Sequence, residues 1–106
     1  MQIINKLVRD NIPNIIQESH GNPIVRVLDT REFIDELFKK FDEEIKEVYF
    51  SNGEERCREL ADVLEIINTL AYLEGKNLEY IIELSKEKRK KNGGFKDRIF
   101  LERIDY

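Results

Sequence analysis

Ile34-Asp35-Glu36-Leu37-Phe38-Lys39-Lys40-Phe41-Asp42-Glu43-Glu44-Ile45-Lys46-Glu47-Val48 returns to an apolar side chain every three or four residues, at Ile34, Leu37, Phe38, Phe41, Ile45 and Val48. That period marks one face of an α-helix, and it predicts a helix over 31–50. Ser51-Asn52-Gly53 breaks the run. The same period resumes over 54–74 with Leu60, Val63, Leu64, Ile67, Leu70 and Ala71, and Gly75 supplies a stop. Two helices of about 20 residues each span roughly 30 Å. So short a connection makes them antiparallel neighbours.

The flanks extend the helical reading. Pro13 suits the first turn of a helix carrying Ile12, Ile15 and Ile16, which Gly21-Asn22-Pro23 should end. Ile24–Leu28 is short and β-branched and reads as extended. Asp29 or Thr30 can cap the next helix, and with Asp29 as the cap Glu32 takes the capping-box position. Asn77 caps a shorter helix with Leu78, Ile81, Ile82 and Leu84. Beyond Gly93-Gly94, residues 95–103 alternate weakly and read as a second extended segment able to pair with 24–28. The expectation is one all-α domain over 1–106, a helical bundle. Two hairpins are needed to enclose a four-helix core, so a homodimer is expected.

The 106 residues carry 18 Lys and Arg against 22 Asp and Glu, a net charge of −4, which argues against a nucleic-acid partner. With one cysteine, Cys57, there is no disulfide framework and no Cys-x-x-Cys site. With one histidine, His20, there is no site needing two imidazoles. Both residues read as incidental, Cys57 as a small packing residue. No apolar run reaches the roughly 20 residues of a membrane span, and the first ten residues lack a signal-peptide stretch. A soluble cytoplasmic protein is expected, with no membrane partner.

The chemistry lies in the acids. Glu44 and Glu47 are three apart, as are Glu59 and Asp62, so each pair shares a helix surface. Most helical acids are solvated or pair with Lys or Arg, and Glu54, Glu55, Glu79 and Glu83 read that way. Glu44, by contrast, lies three after Phe41 and four before Val48, within the apolar stripe. Glu59 lies four before Val63 and eight before Ile67, and Asp62 borders the same stripe. Four acids facing one interface repel one another, and an unpaired buried carboxylate is costly. A cation should sit among them. An all-oxygen donor set suits Mg²⁺ or Mn²⁺, and such sites serve phosphate chemistry. Di-iron bundles use Glu-x-x-His pairs, which this chain lacks.

Residues 32–65 hold twelve acids and five bases, whereas 86–98 hold seven bases and two acids. This split suggests an anionic ligand held between metal and Lys/Arg. Lys6, Arg9, Arg89 and Lys91 are the phosphate-binding candidates. Gly93-Gly94 allows close backbone approach, and Phe95 could stack on a base. Asn68 lies near the apolar face of its helix and reads as a buried polar contact or a ligand group.

Glu43-Glu44-x-x-Glu47 followed by Glu59-x-x-Asp62 resembles the E-E-x-x-E…E-x-x-D signature of the MazG-like all-α nucleoside triphosphate pyrophosphohydrolases. The opening Asn5–Pro13 block and Lys91-Asn92-Gly93-Gly94-Phe95 look like the small, phosphoribosyl-ATP pyrophosphohydrolase-like branch. The resemblance covers nearly the whole chain. It implies a dimer or tetramer, Mg²⁺ dependence, and cleavage of a nucleotide between its α and β phosphates. By motif position it implies Glu44, Glu47, Glu59 and Asp62 as metal ligands and Glu43 as a supporting acid. The N-terminal block departs from histidine-pathway enzymes, so phosphoribosyl-ATP and ordinary or non-standard triphosphates are equally open as substrates. The reading from another class is a non-catalytic, nucleotide-binding or regulatory helical dimer.

Overall fold

The computed structural model describes residues 1–106. It is all-helical, with α1 over Ile12–Glu18, α2 over Thr30–Phe50, α3 over Gly53–Leu73 and α4 over Leu78–Asn92. Two compact units divide the chain, Met1–Ile66 and Ile67–Tyr106, with the division inside α3.

In the first unit, α2 begins at Asp29, whose Oδ1 accepts the Glu32 amide at 2.9 Å. The Glu32 carboxylate does not reach back to close the capping box. It accepts a two-pronged bond from Arg26 at 2.9 and 3.4 Å. The α2–α3 turn is only Ser51-Asn52 and is locked from both sides. The Ser51 hydroxyl donates to the Val48 carbonyl at 3.1 Å. From α3, Arg56 Nε donates to that same carbonyl at 3.1 Å, capping the end of α2. Such bonds satisfy carbonyls that a helix C-terminus otherwise leaves without partners.

The locked turn sets the register. Leu37 lies fourteen residues before Ser51 and Ile66 fourteen after Asn52, so equal arms put them level. Both are buried, as is Val63. Two residues of each predicted stripe are not: Phe38, Ile45, Leu60 and Leu64 remain exposed.

α1 ends slightly before the predicted Gly21 stop. His20 adopts a left-handed φ of 70°, its amide donates to Gln17 at 3.0 Å, and the Gly21 amide donates to Ile16 at 2.9 Å. This is a Schellman termination with histidine in the usual glycine place. Gly21 is still required, because a Cβ there would stand 2.5 Å from Ile16 Cγ2.

In the second unit, α3 closes in the same motif at Gly75, where φ is 72°. The Lys76 amide donates to Ala71 and the Gly75 amide to Tyr72, each at 2.9 Å. Asn77 Oδ1 then accepts the Tyr80 amide at 2.9 Å and starts α4. The Lys76 ammonium lies 4.7 Å from the centre of the Tyr80 ring.

The expected pairing of two extended segments is not formed. Neither 24–28 nor 95–103 is a strand. Ile24, Val27, Phe95, Ile99 and Phe100 are all strongly exposed. A lone two-stranded ribbon needs a packed apolar face to persist in water, and none backs these residues. Cys57 is likewise exposed and not a packing residue. No helix is long and apolar enough to cross a membrane.

Leu37, at 4% exposure, should carry much of the first unit's stability. Leu37→Ala is expected to cost about 2–5 kcal/mol, a large share of the roughly 5–15 kcal/mol of an ordinary domain. Urea unfolding followed by circular dichroism measures it, and a loss under about 1 kcal/mol would contradict this packing role.

Candidate functional site

The hairpin register also aligns the acids. Glu44 lies seven residues before Ser51 and Glu59 seven after Asn52, so both sit about 11 Å from the turn at 1.5 Å per residue. Asp62 follows Glu59 by one turn on the same face. One carboxylate oxygen from each of Glu44, Glu59 and Asp62 falls within 4.8 Å of the others, and all three side chains are half-buried. Glu44 Oε2 and Glu59 Oε2 are shielded from solvent and have no hydrogen-bond partner.

Glu47, the fourth acid of the sequence pattern, is exposed and lies outside this group of three. Glu47 nonetheless acts on the trio. Its hydrogen bond to Glu59, with burial and the charges of Glu47, Asp62 and Glu44, pushes the Glu59 carboxyl up to about 7. Burial, followed by the charges of Glu47 and Asp62, also raises Glu44, while Lys40 opposes that rise. Two carboxyl groups can share a hydrogen bond only if one holds a proton. Glu59 therefore holds its proton to higher pH than an ordinary carboxyl does, and a cation among the three acids would oppose that rise.

The strap over residues 1–11 is non-helical and lies across both arms of the hairpin. Lys6 Nζ donates to Glu43 Oε1 on α2 at 2.9 Å. Arg9 donates from an NH2 nitrogen to Asp62 Oδ1 on α3 at 2.8 Å. Glu43 is pushed down chiefly by its bond from Lys6, and Lys6 is raised by the same bond. Exposed ion pairs of this kind each contribute about 0–1 kcal/mol, so their importance is positional. They hold two cations beside a cluster of anions.

The structure thus brings Lys6, Arg9, Glu43, Glu44, Glu47, Glu59 and Asp62 into one region of the first unit. The remaining sequence candidates lie in the second unit. Asn68 is half-buried on α3, Arg89 and Lys91 are exposed in the last turn of α4, and Phe95 is exposed beyond it. The sequence reading missed Lys39 and Lys40, one turn before Glu43 and Glu44. The adjoining run Lys39-Lys40-Phe41-Asp42-Glu43-Glu44, basic and then acidic, was the available signal.

Comparison with known proteins gave no match to a family model, a curated protein or a solved structure.

The trio has a pH signature. Glu59 binds its proton more tightly folded, at about 7, than at its ordinary 4.5. Folding therefore takes up a proton between those values. The associated stability is present at low pH and is lost as pH rises through about 7. In EDTA the melting temperature should fall between pH 5 and pH 8. Mg²⁺ should raise it more at pH 8 than at pH 5, since protons compete with the metal. Thermal melts with and without Mg²⁺ check this, and an equal Mg²⁺ shift at both pH values would contradict it.

Proposed function

We propose that the chain is a divalent-metal-dependent nucleotide pyrophosphohydrolase. It cleaves a nucleoside triphosphate or a related nucleotide between the α and β phosphates. The observation carrying this reading is the convergence of Glu44, Glu59 and Asp62 within 4.8 Å, with two shielded carboxylate oxygens left without partners. The motif resemblance in the same residues points the same way. The donor set fits a hard cation, because every available atom is a carboxylate oxygen and neither histidine nor thiol joins it. Mg²⁺ is the proposed cofactor, and Mn²⁺ suits the same oxygens.

Glu44, Glu59 and Asp62 would hold the ion, each through a carboxylate oxygen. When bound, the ion supplies positive charge to the phosphoryl oxygens and to the leaving group. Glu47 stands on the solvent side and accepts the proton of the attacking water. The water oxygen bonds to the α-phosphorus as the bond to the bridging oxygen breaks, and pyrophosphate departs. Glu43 keeps Lys6 in place, and Lys6 and Arg9 offset phosphate charge. Asn68, Arg89, Lys91 and Phe95 lie in the second unit and have no assigned part in this step.

The proposal includes a second copy of the chain. Phe38, Ile45, Leu60 and Leu64 all come from the predicted core stripes of α2 and α3, yet remain 42–51% exposed. A hairpin that leaves a third of its apolar stripe uncovered matches one half of a four-helix core.

Pyrophosphate release from a nucleotide panel with Mg²⁺ tests the reading. Activity is expected with at least one nucleotide. Glu47→Gln or Asp62→Asn should lower it about a hundredfold or more with helicity unchanged. Sedimentation equilibrium on the same preparation should return a multiple of the 12.7 kDa chain mass. Mg²⁺-dependent nucleotide binding without product would favour the non-catalytic reading, and full activity in both variants would remove the assignment.

A further inference from the structure

A cleft of about 230 Å³ opens between the strap and the first half of α2. Asn5, Lys6 and Leu7 line it from the strap, and Glu36, Lys39, Lys40 and Glu43 from the helix. We propose that this cleft is an anion subsite for a diphosphate group, with Lys40 as its principal cation.

The volume sets the ligand's size. Sites for whole small molecules enclose about 300–1,000 Å³, so this cleft takes a fragment and not an entire nucleotide. Its walls set the chemistry. No aromatic ring lines it and Leu7 is its one aliphatic wall, so it offers nothing for a base to stack on. Three ammonium groups line it instead, with the Glu36 and Glu43 carboxylates among them.

Their states differ. Lys6 is paired with Glu43 at 2.9 Å, and Lys39 with Glu36 at 3.1 Å. Lys40 is half-buried and makes no salt bridge, although its charge is felt at Glu43 and Glu44. An ammonium on a half-buried stem, with no carboxylate in salt-bridge range, is a charge-assisted donor with capacity to spare.

Position supplies the rest. Lys40 is one turn before Glu44, and Glu43 lines the cleft while its neighbour Glu44 belongs to the carboxylate trio. Cationic cleft and anionic cluster are thus consecutive along α2. One phosphate chain spans both, with its terminal diphosphate against Lys40 and its scissile phosphorus over the acids. The assignment of that diphosphate as a leaving group rests on the hydrolase reading; the anion site itself does not.

Inorganic pyrophosphate is the probe, measured by isothermal titration calorimetry in EDTA and again in Mg²⁺. Wild type should bind it in both buffers. Lys40→Gln should weaken binding about tenfold, and Lys40→Arg should restore most of it. Lys46→Gln removes the same charge from an exposed α2 position outside the cleft and should bind as wild type does. Circular dichroism confirms that each variant is folded. Wild type failing to bind, Lys40→Gln binding unchanged, or Lys46→Gln losing as much as Lys40→Gln would each overturn the subsite. If no nucleotide is hydrolysed but Lys40→Gln alone loses pyrophosphate, the subsite stands and the hydrolase reading falls. If hydrolysis proceeds while Lys40→Gln retains wild-type pyrophosphate affinity, the reverse holds.

Discussion

Like charges on two short-linked helices cannot be brought level at no cost, and this constraint organises the first unit. Glu44 and Glu59 are equidistant from a two-residue turn, and Asp62 follows on the same face. Water screens such repulsion well at a surface and poorly in a half-buried seam. Retaining a proton, drawing in a side-chain cation and binding a metal ion are three ways to relieve it. The upward shift of the Glu59 carboxyl favours the first, and Arg9 on Asp62 supplies the second. The proposed ion is the third.

The strap matters for the same reason. It has no helix of its own over residues 1–11 and contributes no buried residue. Its Lys6 and Arg9 reach α2 and α3 separately. Weak pairs at an exposed surface do little for stability, but Lys6 with Glu43 forms part of the cleft lining, and Arg9 neutralises the rim of the acid cluster at Asp62. A cationic wall beside an anionic floor suits a ligand carrying negative charge at one end and a bridging metal at the other.

Much of this was legible in the residues. The three- and four-residue period located α2 and α3, because burial of one helix face is a local pattern. Asp29, Gly75 and Asn77 were readable as punctuation because capping depends on a few adjacent backbone groups. Glu44, Glu59 and Asp62 were readable because they interrupt apolar stripes. Three things were not legible. The tail at 95–103 and the segment at 24–28 alternate as strands do, yet alternation does not provide a partner surface. Glu47 shares the spacing of the acid motif but is exposed while its neighbour Val48 is half-buried, since a step of three residues from Glu44 turns it about 60° around the helix. The cleft was hidden because Asn5, Lys6 and Leu7 meet Lys39 and Lys40 only after the chain folds back, across more than thirty residues. Period and spacing carry no information about such a return.

The central claim is that three carboxylates from one hairpin share a divalent ion. Crystals grown with Mn²⁺ and measured at its absorption edge test this most directly. The account predicts an anomalous peak bonded to oxygens of Glu44, Glu59 and Asp62 at about 2.1 Å, the distance typical of small hard cations. A map with no peak there, or with the ion bound only by other residues, would contradict it.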